Sequence, residues 1–149
     1  MPNWCHNRLA VRGPAQELQR FKDKAPGYSP WLKPEEIGAN EPDPLNFHSL
    51  CPVPEELVKA GYTEGAYRWE LEHWGCKWGA GATEVVEDYA GCIIYEFDTA
   101  WSPPVPLVEN LSRQWPQFSF ILGYEEPGNG FQGLARAKNG KLDHLRVEY

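Results

Sequence analysis

Histidine and cysteine recur at one spacing in this chain, His48-x-x-Cys51 and His73-x-x-Cys76, and Cys5-His6 adds a further pair of nitrogen and sulfur donors. Zinc takes such ligands. The His-x-x-Cys spacing is not half of a zinc finger, however, and each pair stands beside tryptophan or proline in stretches that read as core and turn. Packed histidines and buried thiols are the expectation, with no metal or cofactor. A cysteine nucleophile would need a partly exposed thiol beside a histidine base. Cys5 and His6 cannot form that pair, because neighbours on a strand point to opposite faces. None of His6, His48, His73 and His144 begins a His-x-Thr/Ser motif of the phosphoesterase kind. The glycines from 75 to 81 lack the spacing of a phosphate loop.

The stronger chemical signal is aromatic. Four of the seven tryptophans fall between residues 69 and 104. Trp69, Trp74 and Trp115 lie in or at the end of helical patterns and are expected to fill core. Trp78 and Trp101 stand instead in Gly- or Pro-bounded loops beside Lys77, Asp98, Thr99 and Ser102. That mix of aromatic wall and a few polar groups is what ligand pockets use. The candidate ligand-binding set is therefore Lys77, Trp78, Asp98, Thr99, Trp101 and Ser102, on two loops, 76–79 and 98–102, that have to meet in space. Asp98 has a structural alternative: with Glu96 on one strand face and Arg8 across the sheet, it would join a cross-strand ion pair. An enzymatic alternative makes Asp98 or His73 a general base and Lys77 an anion stabiliser, acting on a small nucleotide-like or amide-containing substrate.

The elements that must position these groups follow from periodicity. Residues 4–12 alternate, with Cys5, Asn7, Leu9 and Val11 on one side and Trp4, His6, Arg8 and Arg12 on the other, as in a half-buried strand. Gly13-Pro14 opens a helix with Ala15, Leu18, Phe21 and Ala25 as its apolar stripe. Residues 26–54 hold seven prolines and several acids, the mark of an insertion with only short regular pieces. The insertion runs over about 26–81, and within it 45–50 is expected as a short strand and 54–60 as a helical turn. A second helix at 66–74 aligns Tyr67, Leu71 and Trp74 on one face, with Gly75 as its terminator. Residues 83–87 and 92–99 read as a hairpin, 105–115 as a helix lined by Val108, Leu111 and Trp115, and 118–124 as a strand. Asn139-Gly140 supplies a type I′ turn joining strands at 131–137 and 142–149.

The order β-α, insertion, β-β-α-β and an added hairpin is the split β-α-β pattern of ferredoxin-like folds. The fold class is thus α+β: one domain over 1–149 with an antiparallel sheet and helices on one face. The open face would show Trp4, His6 and Arg8 beside Ile94, Glu96 and Asp98, to be covered by the insertion or by a partner such as a second copy.

The segments 1–7, 74–78, 97–104 and 124–133 together resemble the YubB-like proteins. The resemblance covers most of the chain and implies a ferredoxin-like domain encoded on plasmids and phages, with no settled activity and no catalytic residues to transfer. The family more often carries Thr at the position of Cys76, so an essential thiol is not implied.

Composition sets outer limits. A net charge of -7 disfavours general nucleic-acid binding, which needs clustered Lys and Arg. No apolar run approaches the length of a membrane span, and the first residues lack the pattern of a signal peptide. The expectation is a cytoplasmic, non-enzymatic binding module for a protein or small ligand.

Overall fold

The computed structural model describes residues 1–149. Strand β1 (Trp4–Arg12) buries every second residue, and Asn7 joins that buried side because its amide is fully used. Its Nδ2 donates to the Cys5 and Phe97 carbonyls and to Thr99 Oγ1 at 3.1, 3.4 and 3.0 Å. Helix α1 (Ala15–Lys24) lays Leu18 and Phe21 on the inner face of the sheet. Ala15 stays exposed at its first turn.

Four short helices follow: α2 (Pro34–Ala39), α3 (Phe47–Leu50), α4 (Glu55–Ala60) and α5 (Tyr67–His73), the last entered through an irregular turn at Tyr62–Ala66. The strand expected at 45–50 is instead α3. Asn46 starts it by accepting the Ser49 N–H on its side chain, and that cap outweighs the local aromatic bias towards strand. In α5 the expected face is also replaced. Tyr67 and Leu71 are exposed, while Glu70 and Trp74 are buried, because the helix turns its carboxylate inward to meet three donors described below.

Strands β2 (Lys77–Tyr89) and β3 (Cys92–Ala100), helix α6 (Val105–Gln114) and strands β4 (Ser119–Glu126), β5 (Phe131–Lys138) and β6 (Lys141–Glu148) complete the chain. All pairs are antiparallel, in the order β2-β3-β1-β4-β5-β6. The first four strands have the split β-α-β arrangement, and β5-β6 extends it at one edge. Asn139 and Gly140 turn that last hairpin with φ of 51° and 79°, both in the left-handed region that a type I′ turn requires.

The core lies on the helical side, where Leu9, Val11, Phe120 and Leu122 of the sheet meet Leu18, Phe21, Leu107 and Leu111. The insertion packs on this same side: Phe47 meets Trp74 and Phe97 edge-on. The other face stays uncovered by the insertion and manages its charges within the sheet. His6 faces Asp98 and Arg8 faces Glu96 in register.

Candidate functional site

The site is built where β2 loses its regularity. Between Lys77, opposite Ala100, and Gly81, opposite Asp98, β2 advances four residues while β3 advances two. The surplus is absorbed in a bulge with positive φ at Trp78 (72°) and Gly79 (86°), and Ala82 (50°) lies in the next register shift, between Gly81 and Glu84. A tryptophan at positive φ is disfavoured by roughly 1–3 kcal/mol and persists only where its surroundings hold it.

Glu70 does the holding. Its side chain is fully buried, and it accepts the Trp78 N–H at 2.8 Å and the Tyr62 hydroxyl at 3.2 Å on Oε1, and Trp31 Nε1–H at 3.2 Å on Oε2. Burial pushes its carboxyl pKa up, against the pull of these three donors. Burial and the nearby Glu70 carboxylate also push the Tyr62 hydroxyl up. No ion pair of the protein involves Glu70.

Trp78, 48% exposed, thereby becomes the shared wall of two cavities. The larger, about 390 Å³, lies between the loop at 27–48 and β2, with Asp43, Asn46, His48 and Thr83 among its lining. His48 Nδ1 accepts the Val53 N–H at 3.0 Å, which leaves the proton of the neutral ring on Nε2. Burial lowers the His48 pKa and raises that of Asp43. The smaller cavity, about 280 Å³, is lined by Ser29, Trp31, Tyr62 and Trp78. Trp31 and Tyr62 meet edge-to-face at 5.3 Å, and Lys77 places its Nζ 4.0 Å from the centre of the Trp78 ring.

The two loops singled out by sequence do meet in the backbone. Lys77 pairs with Ala100, and Ser102 Oγ donates to the Gly75 carbonyl at 2.6 Å. Their side chains then part. Trp78 goes to the cavities, with Lys77 resting on its ring. Thr99 is fully buried, accepting from Asn7 and donating to the Ser102 carbonyl at 2.7 Å. Asp98 is on the open face, 2.7 Å from His6 Nδ1, while Arg8 pairs with Glu96 at 3.4 Å instead. Trp101, exposed and at φ 70°, donates its N–H to the Asn3 carbonyl at 2.9 Å and lines neither cavity.

The His-x-x-Cys pairs are used locally. His73 stacks on Trp69 at 4.3 Å, and Cys76 is fully buried, which pushes its thiol far up. Cys5 is pushed up to about 12 for the same reason. No group of three or more His, Cys, Asp or Glu side chains is arranged to hold a metal ion. Glu70, Trp31, Tyr62, Asp43 and His48 enter the site without having stood out as candidates for it in the sequence. Only Glu70 carried a signal, its position one helical turn before Trp74.

Residues 73–146 match the family model described as a ferredoxin-like domain in Api92-like protein. The match begins at the last residue of α5 and omits β1, although β1 lies between β3 and β4. Over its whole length the chain is similar to the crystal structure of protein api92 from Yersinia pseudotuberculosis, with a TM-score of 0.73 and 13% identity, covering 100% of this chain and 98% of that one. At that identity the likeness is one of fold. No curated protein matches the chain. The chain is an α+β protein with a ferredoxin-like fold.

Proposed function

We propose that this ferredoxin-like chain is a non-enzymatic binding domain that seats a small ligand, or a protruding group of a protein partner, against Trp78. One observation carries the reading: a tryptophan held at positive φ by a buried carboxylate forms the common wall of two adjoining cavities. Backbone positions held under strain in this way cluster at ligand clamps. Lys77, resting on the Trp78 ring, extends the surface along the strand, and the exposed Trp101 is a second, separate candidate at the end of β3, while Asp98 and Ser102 are taken up by His6 and the Gly75 carbonyl.

The resemblance to YubB-like proteins adds a plasmid or phage origin. A homodimer through the open face, where Leu134, Leu145 and Val147 are exposed, is compatible with an occupied groove on the opposite side.

The test is a fragment panel screened by ligand-observed NMR against the protein and its Trp78→Gly and Trp101→Ala variants. The expected result is a set of hits lost in Trp78→Gly. Hits that survive Trp78→Gly, or no hits at all, would overturn the reading. Hits also lost in Trp101→Ala would extend the surface to the end of β3.

A further inference from the structure

The smaller cavity has a chemistry of its own. Three of its four lining residues are aromatic, Trp31, Tyr62 and Trp78. A polar atom of each, two on side chains and one on the backbone, is bonded to the same carboxylate behind the wall. All three partners of Glu70 act as donors, which suits its ionised form. That charge is fully buried and has no cation among the groups that tune it. A buried carboxylate is ordinarily neutralised by a paired cation, and the three residues that donate to it line the cavity with aromatic rings, whose faces attract positive charge. The adjoining cavity adds Glu41 and Asp43. Lys77, which lines neither cavity, already demonstrates the preference by resting on Trp78.

Resting on the groove reading above, we propose that the Trp31–Tyr62–Trp78 pocket binds a compact organic cation of the alkylated ammonium class, with Glu70 as the charge behind the cage. The aromatic faces supply contact that a strongly hydrated metal ion exploits poorly, whereas methylated nitrogen spreads its charge over an apolar surface that fits such walls. Glu70 acts as a positioning residue: it fixes the two rings by their polar edges and the third by its backbone, and it supplies long-range attraction without touching the ligand.

The experiment titrates choline and its neutral carbon isostere, in which a tert-butyl group replaces the trimethylammonium, by isothermal calorimetry and NMR. The cation should bind at least roughly tenfold more tightly than the isostere, the span a desolvated cation–π site supplies. Trp78→Gly should abolish the difference. Glu70→Gln should reduce cation binding while leaving the isostere unchanged. Should Glu70→Gln fail to fold, Trp31→Phe serves instead, because it keeps a ring and drops the bond to Glu70, and it too should weaken the cation selectively. Equal binding of cation and isostere would overturn the cation assignment while leaving the groove reading intact. If neither binds while the fragment panel yields Trp78-dependent hits, the assignment fails and the groove stands. If both experiments give nothing, both readings fail.

Discussion

The two edges of the sheet obey different rules. At one edge β4, β5 and β6 pair residue for residue without a break, from Phe120 opposite Ala137 to Phe131 opposite Glu148. Their left-handed residues, Gly130, Asn139 and Gly140, all lie in the connections between strands and none within a strand. At the other edge β2 slips register three times against β3, carries Trp78, Gly79 and Ala82 at positive φ and is covered by the insertion. Regularity is what sequence propensity yields unaided. The irregular edge persists because specific groups, Glu70 first among them, hold it, and the two cavities that share Trp78 lie there.

Removing the holding group at one edge and an ordinary residue at the other gives the largest contrast. Glu70→Ala leaves three donors without their acceptor and should cost about 2–4 kcal/mol of unfolding free energy. Leu145→Ala on β6, where the side chain is 69% exposed, should change stability by less than about 0.5 kcal/mol. Urea titration of both variants measures it, and similar losses would erase the distinction between the edges.

The same contrast explains what could be read from sequence. The strands β1 and β4 and the Asn139-Gly140 hairpin announce themselves, because period-2 burial and the chemistry of a left-handed turn are local properties. The irregular edge is not local. Lys77, Trp78 and Gly79 read as a hinge because their bulge breaks the period, and the strand becomes visible only through its pairing with β3. Glu70 is not singled out as a site residue in the sequence, because a lone carboxylate is seldom buried. Its donors come from Trp31 in the proline-rich stretch, from Tyr62 in an irregular turn and from the bulge itself, so no window of sequence contains them all. Asp98 and Thr99 are adjacent and polar, yet the alternation of β3 sends one to His6 on the open face and the other into the core.

A second contrast uses two glycines at positive φ. A Cβ on Gly75, at φ 91°, would fall 2.5 Å from Pro106 Cδ and 3.0 Å from the Pro103 carbonyl oxygen, both on rigid backbone or ring. A Cβ on Gly140, at φ 79°, would meet only the flexible Arg113 side chain at 3.0 Å. Gly75→Ala should therefore cost about 2–3 kcal/mol, and Gly140→Ala about 1 kcal/mol. Thermal melts of the two variants should rank in that order, and the reverse order would place the tighter constraint at the wrong edge.

Acidification should separate the edges more gently. Because the Glu70 pKa is raised in the folded state above its ordinary value of 4.5, the folded protein holds that proton more tightly than the unfolded chain. Its contribution to stability is fully present below about 4.5 and is lost as pH rises through the raised value. The stability of the wild type relative to Glu70→Gln should accordingly increase as pH falls from neutral towards 4.5, and Arg136→Gln, which opens the exposed Arg136–Asp143 pair on the β5–β6 edge, should show no such trend. A difference that shrinks on acidification would mean that the donors, and not burial, govern Glu70.

A small effect on stability is expected at the residue given the largest role in binding. Replacing Trp78 by glycine removes the backbone strain of a bulky residue at φ 72°, a gain of about 1 kcal/mol or more. Against it stand the extra entropy of glycine in the unfolded chain, about 0.5–1 kcal/mol, and the loss of a ring that is already half in water. The backbone N–H that Glu70 accepts is retained in glycine, so the buried carboxylate keeps all three donors. The terms nearly cancel, and Trp78→Gly should unfold within about 1 kcal/mol of the wild type while its fragment hits disappear. A loss above about 2 kcal/mol would show that the ring is held in place to support the fold, and the strain at Trp78 would then be a cost of packing the insertion onto β2 and no longer a mark of a binding surface.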